Sequence, residues 1–111
     1  MKRKDLEGSP HGELFPGARA AAFGGRQTML NHVVLDHGVT VPEHSHPEEQ
    51  ITYVLSGRLA FQIEGEVCEV AAGEAVWVPG GATHAVRALE PSVVLDVFSP
   101  VRPDLLEKLG G

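Results

Sequence analysis

Cysteine is almost missing from this sequence. Cys68 stands alone among 111 residues, so no intrachain disulfide can form, and a reducing cytoplasm is the expected compartment. Aromatic residues are scarce at 5%, which removes the stacking platforms that single-stranded nucleic acids use. Basic residues are outnumbered, nine Lys and Arg against fifteen Asp and Glu, for a net charge of −6. That balance repels phosphate backbones and sets nucleic acid aside as a partner. No run of ~18 or more apolar residues occurs that could cross a membrane as a helix. The basic start Met1-Lys2-Arg3-Lys4 is followed by Asp5-Leu6-Glu7-Gly8-Ser9-Pro10, which supplies no apolar signal core, so an exported precursor is not expected. Helical periodicity is nearly absent too. Only Pro103–Leu109 reads as a turn or two of helix, closed by Gly110-Gly111.

What is present is the composition of an ordinary globular chain, 42% hydrophobic and 22% charged, at a length that holds one core and no more. Thirteen glycines and eight prolines fall between short runs rich in β-branched residues. The runs Thr28–Asp36, Ile51–Leu55, Arg58–Glu64, Glu66–Val70, Ala75–Val78, His84–Ala88 and Ser92–Phe98 read as strands, with Glu64-Gly65 as a tight hairpin turn. Short strands at regular spacing with Gly and Pro turns make an all-β sandwich or barrel. Residues 1–17 carry little periodicity and are expected to form a loosely attached arm. Residues 18–111 are expected to form a single barrel with a short helical tail.

Two strands carry apolar residues at both parities: Ile51-Thr52-Tyr53-Val54-Leu55 and Val93-Val94-Leu95-Asp96-Val97-Phe98. A strand with one wet face alternates, so these two should be covered on both sides. A second copy of the chain, as a homodimer, would provide that cover. A tightly packed two-sheet monomer is the other arrangement that does so.

Histidines concentrate in two segments. In Gly38-Val39-Thr40-Val41-Pro42-Glu43-His44-Ser45-His46-Pro47-Glu48-Glu49-Gln50, His44 and His46 are two apart, and residues so spaced in an extended chain share a face. In Gly73-Glu74-Ala75-Val76-Trp77-Val78-Pro79-Gly80-Gly81-Ala82-Thr83-His84, a third histidine opens a strand just after a Pro-Gly-Gly turn. Together the segments resemble the two motifs of the cupin family. The first, G-x5-H-x-H-x3-E-x6-G, is met by Gly38, His44, His46 and Gly57, with Gln50 in place of Glu. The second, G-x5-P-x-G-x2-H-x3-N, is met by Gly73, Pro79, Gly81 and His84, with Ala88 in place of Asn.

The resemblance spans residues 28–98. It implies a double-stranded β-helix, the jelly-roll-like cupin barrel, with one divalent metal per chain held by His44, His46, Gln50 and His84. Three neutral imidazoles and an amide oxygen bring no negative charge, so an ion there would keep its own and attract a small anionic ligand. Loss of the motif's Glu also argues against the family's dioxygenase chemistry. Imidazole suits several ions, so Zn, Ni, Fe, Mn and Cu all stay open. Glu49 would be a ligand only if a bulge shifted the register. His32 is expected on the strand surface, and His11 and His37 in solvated loops. Cys68 has no basic neighbour in sequence to activate its thiol.

The tail Ser92–Arg102 puts Asp96 and Phe98 on one strand face and Arg102 after a turn at Pro100. One reading is a binding set for a carboxylated sugar: Arg102 for the carboxylate, Phe98 for a ring face and Asp96 for proton transfer. The other is a structural Asp96–Arg102 ion pair with Phe98 in the core. This ending, with the His-Ser-His-Pro-x-Glu-Gln run, is similar to the small cupins of pectin and alginate breakdown, which convert 4,5-unsaturated uronates to linear keto sugars. That resemblance implies Asp96 and Arg102 as catalytic groups and Phe98 and Arg102 as substrate contacts. A polyketide-type cyclase, an oxygenase and a non-catalytic binder of a small anion are the alternatives.

Overall fold

The structure is a computed structural model and describes residues 1–110. Gly111, second residue of the expected Gly-Gly stop, lies outside the described residues. Ten strands form two facing sheets: β1 (Gly12–Phe15), β2 (Ala18–Gly24), β3 (Met29–Leu35), β4 (Thr40–His44), β5 (Glu49–Ser56), β6 (Arg58–Ile63), β7 (Glu66–Ala71), β8 (Ala75–Val78), β9 (His84–Ala88) and β10 (Ser92–Ser99). One sheet runs β1-β2-β3-β10-β5-β8 and the other β4-β9-β6-β7, with every recorded pair antiparallel. The expected all-β fold is what forms. A single short helix, α1 (Pro103–Leu109), follows, with Pro at its start and Gly110 in the left-handed conformation at its end.

The inner faces meet in a core built on Val33, Leu35, Val54, Leu59, Phe61, Val78 and Val94. β2 contributes Ala18, Ala20 and Ala22 to this interior, all at 1% exposure or less. Alanine has little preference for strands, and β2 is extended because β1 and β3 bond it from both sides. Its short side chains leave the interior open rather than filled. β4 holds Pro42 inside a strand, which is tolerated because β4 lies at the edge of its sheet.

The arm departs from expectation. Residues 12–15 of the stretch 1–17 are strand β1, and the segment before them is anchored. β1 pairs with β2 only as far as Ala20, and beyond that point the ammonium groups of Lys2 and Lys4 cap the carbonyls of Gly24 and Ala22. The arm therefore covers the outside of β2 and β3. His32, expected on the surface, is buried there, and His11, expected in solvent, shares a 2.9 Å hydrogen bond with it. Beyond the arm the outer face is bare: Ile51 (42% exposed), Tyr53 (41%), Leu55 (39%) and Trp77 (58%) stand on β5 and β8. Ile51, Tyr53 and Leu55 belong to one of the two runs whose two-sided apolar pattern called for a cover. Among the described residues, no helix is long and apolar enough to cross a membrane.

Candidate metal centre

Backbone pairing assembles the histidines. β4 ends at His44 and β9 begins at His84, and the antiparallel register sets the two opposite one another, with ring centroids 4.2 Å apart. His46 follows in the loop between β4 and β5. That loop is pressed onto the turn that delivers His84. The Gly81 N–H donates to the His46 carbonyl at 2.8 Å, and a Cβ on Gly80 would stand 2.4 Å from the Pro47 oxygen. Gly81 adopts φ +82°, which glycine takes without strain. Gly80 and Gly81 thus clamp the two histidine-bearing loops together.

The imidazoles are oriented by the backbone. Each Nδ1 lies 2.9 Å from a carbonyl oxygen: His44 on Pro42, His46 on Glu48 and His84 on Ala82. A carbonyl only accepts, so each Nδ1 carries the proton and each Nε2 presents a lone pair. One ring nitrogen of each lies within 4.8 Å of the others'. His84 Nε2 is buried with no hydrogen-bond partner among the described residues. Burial holds His46 and His84 below the ordinary imidazole range, with Arg102 adding to the effect, so both favour the neutral, ligating form.

Gln50 completes the set. Its Nε2 donates to Thr52 Oγ1 at 2.9 Å, and Thr52 Oγ1 donates to Asp96 Oδ1 at 2.6 Å. That chain turns Gln50 Oε1 toward His46 Nε2 at 3.1 Å. Two acceptor atoms facing one another at that distance repel unless a cation lies beside both. The four sequence-designated ligands therefore fit a divalent ion, on donor geometry and on the unpartnered His84 nitrogen. Glu49, at the start of β5, is exposed and paired to Ser99 of β10, away from the site.

Asp96 and Phe98 face the barrel interior, as their shared parity requires, in register with Thr52 and Gln50. Burial raises the Asp96 carboxyl to about 6, against the lowering pull of Thr52, Arg102 and Gln50, so it exchanges a proton near neutrality. Phe98 is buried, its ring centroid 5.6 Å from that of His46 and 5.0 Å from the Arg102 guanidinium carbon. Arg102 pairs not with Asp96 but with Asp104, at 3.0 Å, and with Glu48, at 3.8 Å. The expected structural Asp96–Arg102 pair is thus not formed.

Two residues escaped the sequence reading. Glu48 is buried, 3.6 Å from His46 Nδ1 and 3.8 Å from Arg102 Nε. Together with Asp96, which lies behind Gln50, it places a second carboxyl group just outside the candidate ligands. Asn31 is an amide at an inward position of β3, and an inward parity within an apolar strand was the available signal. His44, His84, Gln50, Asp96, Phe98 and Arg102 all border one cavity of about 340 Å³.

A family model for the cupin domain matches residues 31–98. The chain is a cupin. Among curated relatives, the pectin degradation protein KdgF of Dickeya dadantii is 40% identical over 80 residues, covering 70% of this cupin and 73% of that protein. The tetracenomycin polyketide synthase protein TcmJ of Streptomyces glaucescens is 31% identical over 99 residues, covering 86% of this cupin and 64% of TcmJ, so the match spans less than two thirds of TcmJ. The solved structure of KdgF from a Halomonas species superposes with a TM-score of 0.87 at 30% identity, covering 95% of this cupin and all of that chain.

Proposed function

We propose that this cupin is a metal-dependent enzyme that opens the ring of an unsaturated uronate to give a linear keto sugar. The observation that carries the reading is the juxtaposition, around one cavity, of His44 and His84 from the histidine cluster with Asp96, Phe98 and Arg102. The likeness to two KdgF proteins, one described by its role in pectin degradation, supports the same substrate class.

The conversion is an isomerisation without net redox change. The anomeric hydroxyl loses its proton as the bond from the anomeric carbon to the ring oxygen breaks. The enolate that results becomes a ketone as the neighbouring alkene carbon gains a proton. A single group that accepts one proton and delivers another covers both events, and Asp96 takes that role. Arg102 orients the substrate carboxylate, its Nε lacking any hydrogen-bond partner among the described residues, and Phe98 supports the ring face. A divalent ion held by His44, His46, Gln50 and His84 would supply Lewis acidity and anion attraction.

Assembly as a homodimer belongs to the same proposal. The bare outer face carries Ile51, Tyr53, Leu55 and Trp77, and two copies meeting there bring no like charges of these four residues together. Cyclisation of a polyketide-type substrate is the second reading, favoured by the apolar walls beyond the histidines, such as Val33, Leu59, Phe61 and Val94. The deciding experiment adds metal-loaded protein to an unsaturated uronate and follows the ultraviolet absorbance of the conjugated double bond. Faster loss than the spontaneous ring opening is expected. An unchanged rate overturns the reaction and leaves the metal site standing.

A further inference from the structure

Across the inner face of the six-stranded sheet, one row of side chains reads Ala22, Asn31, Asp96, Thr52 and Val76. The other inward positions of β3, at Met29, Val33 and Leu35, are buried and apolar. Asn31 interrupts them. It is 1% exposed, borders the cavity, and its Oδ1 has no hydrogen-bond partner among the described residues. A buried carbonyl without a donor is a standing cost to the fold, and a sequence that needed only packing would place an aliphatic residue there. The polar neighbour Thr52 is engaged, taking a hydrogen bond from Gln50 and giving one to Asp96. The Asn31 carbonyl is left over, beside the carboxylate on the cavity wall.

We propose that Asn31 determines ligand specificity by binding a hydroxyl of the ligand, so that the cavity selects a polyhydroxylated acid over an apolar ring of similar size. An amide both accepts through oxygen and donates through nitrogen, which suits a hydroxyl or a vicinal pair of them. Filling the cavity with a hydrocarbon ring leaves the carbonyl unpaired and forfeits that partner. The proposal deepens the sugar-acid reading above and rests on it for the choice of probes.

The test is calorimetric titration of zinc-loaded protein with galacturonate, which is saturated and cannot react, and with cyclohexanecarboxylate. Wild-type protein should prefer galacturonate. Asn31→Leu, which keeps the volume and removes the amide, should weaken galacturonate about ten-fold and leave cyclohexanecarboxylate unchanged. Its ligand-free melting temperature should hold or rise, since an unpaired buried polar group is gone. Asn31→Ala serves as the second variant. If both variants fail to fold, deoxy-galacturonates on wild-type protein decide, one of which should bind about ten-fold more weakly. Equal affinity of wild-type protein for the two probes, equal weakening of both by Asn31→Leu, or a flat deoxy series overturns the proposal. Galacturonate binding that depends on Asn31 without turnover of the unsaturated uronate supports the assignment and removes the reaction. Turnover with binding indifferent to Asn31 does the reverse.

Discussion

His84 is the most diagnostic residue to remove. It is 2% exposed, its Nδ1 is tied to the Ala82 carbonyl, and its buried Nε2 has no hydrogen-bond partner among the described residues. An ion arriving there breaks no existing hydrogen bond of that ring, so His84 should contribute fully to affinity. At a free ion concentration of about 100 times Kd, binding to the folded state alone stabilises it by about 2.7 kcal/mol. For a chain of this length, that raises the melting temperature by about 10 °C. Loss of a ligand that weakens binding ~100-fold cuts the same increment to about 2 °C. His84→Ala also opens a hole in the interior and lowers the metal-free melting temperature. The quantity to compare is therefore the rise on adding metal within each protein, not the melting temperature itself. Differential scanning fluorimetry with and without Zn, repeated with Ni, Mn, Fe and Cu, measures it. An equal rise in wild type and variant, or no rise in wild type with any of the five ions, refutes the site.

Four further outcomes follow from the same geometry. Asp96→Asn should lower kcat for unsaturated uronate by about 10²-fold with metal content unchanged, as read by steady-state kinetics alongside metal analysis. Glu48→Gln and Arg102→Met should prove non-additive in urea denaturation by about 1 kcal/mol or more, because 3.8 Å separates their charged groups in a largely buried setting; additivity would show that Glu48 does not hold Arg102. Burial and the neighbouring His11 hold His32 below its ordinary 6.5, opposed by Glu7. The unfolded chain therefore binds the proton more readily, so the contribution of His32 is complete above pH 6.5 and is lost as pH falls below it; hydrogen exchange in residues 1–11 should speed up on acidification, and His32→Gln should flatten the response. Trp77→Glu should turn a dimer into a monomer in light scattering at micromolar concentration, whereas a wild-type monomer would refute the dimer itself.

Legibility in the sequence divided along physical lines. β3, β5 and β10 were readable because short runs rich in β-branched residues, bounded by Gly and Pro turns, report strands wherever they occur. β2 was not, because Ala18–Gly24 carries no strand preference of its own and becomes extended through β1 and β3. β4 hid behind Pro42, which only an edge position makes compatible with a ladder. The arm looked loose because its attachments, Lys2 and Lys4 to β2 and His11 to His32, join residues far apart in the chain. The metal centre followed the same rule. Its candidate ligands could be named because the two histidine segments resemble the cupin motifs. Asp96 and Phe98 could be set on one face by parity alone.

The partners of Arg102 could not be read, since an ion pair depends on which carboxylates the fold brings near. The helix supplies Asp104 and the His46 loop supplies Glu48, while Asp96 is held by Thr52 instead. That division has a chemical consequence. A carboxylate locked to the arginine could not accept and deliver protons freely, whereas Asp96 bonded to a hydroxyl can. The guanidinium in turn borders the cavity, its Nε 3.8 Å from Glu48 and without a hydrogen-bond partner among the described residues. Arg102→Lys is the substitution that separates charge from shape. A point charge on a flexible stem should preserve much of the attraction for anions yet lose the planar, two-pronged grip on a carboxylate. KM for a uronate should rise about ten-fold while kcat changes less, and a fall confined to kcat would mean that Arg102 acts in the transition state rather than in holding the acid.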